Sequence, residues 1–162
     1  MVLDSLIQRM QSFNIMEEIA TICKRHKDVL GDAVRWQWKQ GLRRDDSQIG
    51  EYAAKWYADY KFQYKSELAG WGNVDLIKEG TTSDSITVEV TSDSLIFTIG
   101  NDPYNILTRY NDMKGKCDKN SILGLTPESA KAFVDTYLRE ELKQSFINKV
   151  IKNRYTIEFF CV

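Results

Sequence analysis

A chain of 162 residues is the size of one compact domain, so residues 1–162 are read as a single unit with a core large enough to need neither disulfide nor metal. Its 22 Lys and Arg stand against 23 Asp and Glu, a formal charge of -1, which excludes a generally basic nucleic-acid coat. Two Pro, nine Gly and 43% hydrophobic residues exclude extended disorder.

The first residues carry Asp4 and alternate polar with apolar, unlike the basic start and apolar run of a signal peptide, so synthesis in the cytoplasm is expected. No stretch approaches the roughly 18 apolar residues of a membrane span, so no membrane partner is expected. Val2, Leu3, Leu6, Ile7, Met10 and Phe13 recur at three- and four-residue steps and predict a short amphipathic helix. Asn14 and Glu17 supply a cap and capping partner for a second helix, expected to run to about Arg43. Its inward face would hold Ile15, Met16, Ile19, Ile22, Cys23, His26, Leu30, Ala33 and Val34, and Gly31 is the expected bend.

Residues 41–50, GLRRDDSQIG, are polar and without period, hence a connection. Between Tyr52 and Trp71 lie seven of nineteen aromatics; Tyr52, Trp56, Tyr60 and Tyr64 fall four apart, as on one helical stripe, although an extended reading also fits. VDLIKEG, 74–80, is a short strand or irregular. From Ser85 to Gly100 two alternating runs predict a hairpin: a Ser92-Asp93 turn sets Val90 against Leu95, Val88 against Phe97 and Ile86 against Ile99. Residues 104–110 have room for a helical turn or two, and 111–120 read as an exposed loop. Thr126, Pro127 and Glu128 start a long helix over about 127–152, with Ala130, Phe133, Val134 and Tyr137 on one face and Leu138, Leu142 and Phe146 lying round from it, so that either both faces are covered or the helix breaks. A terminal strand over 154–162 alternates Tyr155, Ile157, Phe159 and Cys161 with Thr156, Glu158 and Phe160. It needs a sheet to join, in its own domain or in another chain, which makes Tyr155, Ile157 and Phe159 the candidate interface residues.

Candidate chemistry is sparse. His26 is the single histidine, set on an apolar helical face with Cys23 three residues before it; a packed histidine outweighs a base or ligand at that position. Cys23, Cys117 and Cys161 are odd in number and widely spaced, as reduced thiols are. Asp45-Asp46 and Glu140-Glu141 read as solvated pairs, and Asp102, Asp112 and Asp118 do not match a calcium loop. No phosphate-cradling glycine motif is present. The sequence therefore predicts no enzyme, no catalytic or metal-binding residue and no cofactor. From Lys24 to Arg44, seven basic residues (Lys24, Arg25, Lys27, Arg35, Lys39, Arg43 and Arg44) precede the aromatic run, which raises a rival reading: a nucleic-acid-binding accessory protein.

Gly80, four residues, then Ser85-Ile86 opening into a hairpin after a long N-terminal helix resembles the small head-to-tail joining and tail-completion proteins, and related minor virion proteins, of tailed bacteriophages. Their Thr-Gly-x-Leu-x-x-Ser-Ile pattern is kept here at Gly80, Ser85 and Ile86, while Glu79 replaces the Thr and Thr82 the apolar residue. The resemblance implies a non-enzymatic virion subunit at the neck, repeating in a ring with copies of itself. The portal or connector and the tail proteins would be its partners, with channel DNA within reach. The expected fold is α+β: two or three long helices packed on a small, mainly antiparallel sheet with a central hairpin, the helical part over about 1–70 and the sheet part over about 74–100.

Overall fold

The computed structural model describes residues 2–52, 54–64, 72–74, 76, 80–102 and 119–152. Helices α1 (Val2–Ser12), α2 (Ile15–Arg25) and α3 (Lys27–Lys39) open the chain, followed by α4 (Lys55–Tyr64) and a single turn, α5 (Thr81–Asp84). Strands β1 (Ile86–Val90) and β2 (Leu95–Ile99) form a two-stranded antiparallel sheet. A second single turn, α6 (Lys119–Ile122), leads to a helix of 26 residues, α7, over 127–152. The architecture is mixed α+β, with helices packed on one hairpin.

The hairpin takes the register that its alternation dictates, with Val90 opposite Leu95, Val88 opposite Phe97 and Ile86 opposite Ile99. A one-residue slip would turn that apolar face outward, and the two-residue turn selects the register among those that keep it inward. On the outer face Thr87 and Thr98 pair through their hydroxyls at 2.7 Å. The turn is held by Thr91, whose N–H donates to the Ser94 carbonyl at 3.0 Å. At the open end Ser85 binds twice: its hydroxyl donates to the Asn101 carbonyl at 2.9 Å and accepts from the Asn101 N–H at 3.0 Å. Gly80 caps α5 at φ +91°, a left-handed conformation that favours glycine, and Ile86 enters the core at 3% exposure. Gly80, Ser85 and Ile86 thus act together to turn the chain into the hairpin.

Inside, α2, α3 and α7 enclose the apolar face of the hairpin. Val34, Trp38, Ile49, Val74, Leu76, Ile86 and Ile122 form one cluster, and Cys23, Leu30 and Phe133 a second. Phe97 and Leu125 pack against both, joining them into one core. Two buried side chains of α3 tie the approach to α7: Trp38 Nε1 donates to the Ile122 carbonyl at 3.0 Å, and Gln37 Nε2 donates to the Gly124 carbonyl at 2.9 Å. Gly124 has φ +130°, and a Cβ there would lie 2.9 Å from Arg44 Cδ, so both backbone and space select glycine.

Several expectations change. The helix expected from Asn14 to Arg43 is capped by Asn14 as read, its side chain accepting from the Glu17 N–H at 3.3 Å, but it is interrupted at His26, with φ -106° and ψ 22°, and ends at Lys39. The interruption falls there and not at Gly31, which lies within α3 near Val88. The His26 ring packs against Tyr137 at a centroid distance of 4.6 Å. The backbone bonds His26 N–H to Ile22 and Leu30 N–H to His26 persist across the interruption. Ile15 and Met16, expected inward, are 54% and 51% exposed, because α2 becomes buried only from Ala20.

Thr126 caps α7 by accepting from the Ser129 N–H at 3.1 Å, with Pro127 behind it. The helix does not break. Its inward residues advance in fours, as in Leu138, Leu142, Phe146 and Val150, a step that rotates about 40° too far per turn of an α-helix. Two π-helical stretches, Val134–Leu138 and Ile147–Lys152, absorb that drift with wider i→i+5 turns. The aromatic run resolves as α4 within Tyr52–Tyr64, and of 74–80 only Val74 and Leu76 are seen as buried core. The helical turns expected over 104–110, most of the 111–120 loop, Cys117, Cys161 and the strand 154–162 with Tyr155, Ile157 and Phe159 lie outside the described residues.

Candidate interaction surfaces

The residues with chemical potential are dispersed. His26 Nε2 lies 2.6 Å from Glu141 Oε1, and Arg25 pairs with the other oxygen of the same carboxylate. With 19% of its side chain exposed and Tyr137 and Phe133 against its ring, His26 locks the α2–α3 junction onto α7. Cys23 is buried in the neighbouring cluster, and burial pushes its thiol up from its ordinary value, away from the reactive thiolate. The acidic pairs also divide. Asp45 accepts from the Ser47 N–H and hydroxyl, bonds that lower its carboxyl, while Asp46 sits at φ 65° in the turn. Glu140 lies near Lys143, and Glu141 holds Arg25 and His26. Asp102 accepts from Thr82 at 3.3 Å. Among the described residues no three His, Cys, Asp or Glu converge as metal ligands.

The basic stretch is also divided. Arg25 is engaged by Glu141, and Arg43 donates to the Ile49 carbonyl at 3.0 Å. Arg35 donates to the Ser83 and Ile86 carbonyls at 2.9 and 3.0 Å and pairs with Asp32. These three guanidinium groups brace the fold; Lys24, Lys27, Lys39 and Arg44 remain exposed. A fixed charge spent on internal carbonyls is not available to neutralise phosphate.

What stays conspicuously uncovered is apolar. On α1 and the start of α2, Leu3, Ile7, Met10, Ile15 and Met16 are each between 44% and 66% exposed. On α4, Trp56, Tyr60, Phe62 and Tyr64 are between 43% and 73% exposed, and Tyr57 and Tyr60 stack with centroids 6.2 Å apart. Comparison with protein-family models, with curated proteins and with solved structures finds no match. The surfaces therefore have to be weighed on their own physics. The α1 end joins the far end of α7, where Phe13 meets Phe146 edge-on at 5.2 Å. The α4 end adjoins the Trp38 cluster through Tyr52, whose ring meets Tyr57 at 5.0 Å, and that cluster holds the start of α7. At 26 residues α7 is roughly 35–40 Å long, with the α1 contact near its end and the Trp38 cluster near its start. Sequence periodicity grouped both stripes but placed only Ile15 and Met16 of the first one inward; among the described side chains of α1 only Leu6 and Arg9 are half-buried.

A groove of about 240 Å³ runs between α2, the hairpin tip and α7, lined by Met16, Ile19, Cys23, Leu95, Phe133 and Leu138. Beside α1 a charged cluster closes the α2–α7 contact: Glu18 accepts from Lys149 and Ser145. Those bonds, Lys149 first, hold the Glu18 carboxyl below its ordinary 4.5. Because the folded value is the lower one, the cluster contributes its stability above about pH 4.5 and loses it as pH falls through the folded value. Glu18→Gln is expected to cost on the order of 1 kcal/mol at pH 7 and less at pH 3. Urea titrations of both proteins at the two pH values check this; a cost independent of pH would assign the effect to packing.

Proposed function

We propose that this chain is a non-enzymatic structural subunit of a tailed-phage virion, a ring-forming head-to-tail joining or tail-completion protein at the neck. The observation that carries the reading is the pair of unlike exposed apolar surfaces, one on α1 and the start of α2 and the other on α4. Exposed large hydrophobic residues clustered in this way mark sites of protein contact. A two-fold dimer uses one self-complementary patch, whereas a ring needs two different patches that meet head to tail. The aliphatic, methionine-bearing α1 stripe and the aromatic α4 stripe supply two such patches on one chain. The resemblance carried by Gly80, Ser85 and Ile86 points to the same class of protein and to the portal or connector and the tail as further partners.

Quantitative mass spectrometry of washed phage particles is the test. The expected result is this chain at a fixed ratio to the portal subunit, set by ring symmetry; its absence from washed particles would overturn the reading. The nucleic-acid alternative would then need DNA affinity that falls steeply with salt and weakens when Arg44 and Lys39, both on the surface, are replaced by Glu.

A further inference from the structure

The groove between α2, the hairpin tip and α7 differs in character between its floor and its mouth. Ala20, Cys23 and Phe133 are its buried residues, and Leu95, Leu125 and Leu138 close round them. Ala20 on α2 and Ala130 on α7 line it with one methyl group each. Protein interiors leave few spaces larger than a water molecule, yet this one stays open where a single longer side chain at either alanine would fill it. Val134 and Leu138 belong to the first π-helical stretch of α7, and such wide turns recur at functional sites. The mouth is polar. Thr91, Ser92, Asp93 and Ser94 of the hairpin turn line it, and Asp93 is the one charged residue around the groove among the described residues. Its Oδ1 accepts from the Thr91 hydroxyl at 2.9 Å and from the Ser94 hydroxyl at 3.2 Å, so the carboxylate is held at the turn. No cation among the described residues pairs with it.

We infer that this groove binds a small amphiphilic cation, its apolar body between α2 and α7 and its positively charged head at Asp93. Volume sets the size of the body. An apolar cavity of about 150 Å³ takes benzene, so a space of about 240 Å³ accommodates about eight carbons. It is too small for a helix, which is about 10 Å across with its side chains. A lining that is apolar except for a few polar groups at one end is the usual build of a small-ligand site, the polar end fixing orientation. Water in the groove finds few hydrogen-bond partners away from the turn, so its displacement by an apolar body is favourable. Charge then selects among bodies of equal size: a cationic head meets the Asp93 carboxylate, and an anionic one is repelled. The inference stands apart from the virion reading, and absence of the chain from particles would leave it intact.

Octylammonium, octanol and octanoate, equal in carbon number and different in head, test body and charge separately when titrated into the isotope-labelled full chain and followed by NMR. Octylammonium is expected to shift the amides of Ala20, Cys23 and Leu138 saturably, with a Kd on the order of 1 mM for so small a body. It is expected to bind about threefold or more tightly than octanoate, the scale of an exposed charge contact, with octanol between them. Asp93→Asn keeps an oxygen for the Thr91 and Ser94 hydroxyls and is expected to bring the three affinities together. Ala130→Leu sets a longer side chain in the groove and is expected to abolish binding of all three. Because Asp93 lies on an exposed turn, its variant decides the matter even where Ala130→Leu disturbs packing. Shifts that do not saturate, or that fall on the exposed stripes of α1 and α4 instead of the groove, would overturn the inference. Equal affinities for the three heads in the wild-type chain, a preference that Asp93→Asn leaves unchanged, or binding that a folded Ala130→Leu variant retains would do the same.

Discussion

Trp38→Ala is expected to remove much of the stability of this fold. The Trp38 side chain is fully buried among Val34, Ile49, Val74, Leu76, Ile86 and Ile122, and its indole N–H is bonded to the Ile122 carbonyl. Truncating a buried Trp to Ala costs about 3–5 kcal/mol through lost transfer free energy and the cavity left behind. Leaving the Ile122 carbonyl without its donor adds about 1 kcal/mol or more. Against a typical total of about 5–15 kcal/mol, that is a third or more of the whole, or a fall in Tm of roughly 8–20 °C. Trp36, two residues earlier on α3, is 50% exposed, and Trp36→Ala is expected to stay within about 1 kcal/mol of wild type. Thermal unfolding of the two variants checks the pair, and equal losses would show that α3 presents a different face to the core.

The contrast between Trp36 and Trp38 illustrates what the sequence makes legible. A helix fixes which residues share a face, so Ile22, Cys23, Leu30 and Val34 could be placed inward from spacing alone, and all four are buried. The hairpin is equally legible, because a two-residue turn and a period of two leave one register, the one observed. Asn14 and Thr126 cap through their own local backbone and need no distant partner. Legibility fails where a position is decided by a residue far along the chain. The partners of His26, where α2 gives way to α3, are Tyr137 and Glu141, more than a hundred residues away. Arg35 reads as one more cation on a wet face, yet it binds carbonyls of the segment leading into β1. For the exposed stripes periodicity tells which side chains lie together but not whether anything covers them, so Leu3, Ile7 and Met10 look from sequence like buried residues. On α4, Trp56, Tyr60 and Tyr64 share the stripe that spacing groups, while Tyr57 and Phe62 lie off it. The surfaces on which the functional reading rests are therefore ones that pattern can group but whose covering it cannot decide.

Gln37 is the polar counterpart of Trp38, and Gln37→Leu is expected to cost roughly 2–6 kcal/mol, since two buried backbone groups lose their partners at about 1–3 kcal/mol each. With 2% of its surface exposed, Gln37 donates to the Gly124 carbonyl at 2.9 Å and accepts from the Thr126 N–H at 2.9 Å. Those two backbone groups can only accept and only donate, so they dictate the amide's orientation, and they lie at the turn that launches α7. Leu matches Gln closely enough in size that the loss would reflect hydrogen bonding and not a cavity. Gln37→Glu separates the two bonds. A carboxylate still accepts from Thr126 but sets an anion against the Gly124 carbonyl in a buried site, so the folded state favours the protonated form and raises the pKa of the new group. The sign follows: protons bind more tightly to the folded variant, so its deficit relative to wild type is largest at neutral pH and shrinks as pH falls through the raised value. Denaturant titrations from pH 7 to pH 5 would show Gln37→Leu with a constant deficit and Gln37→Glu with a narrowing one. Parallel curves for the two variants would mean that Gln37 does not bridge α3 to the start of α7.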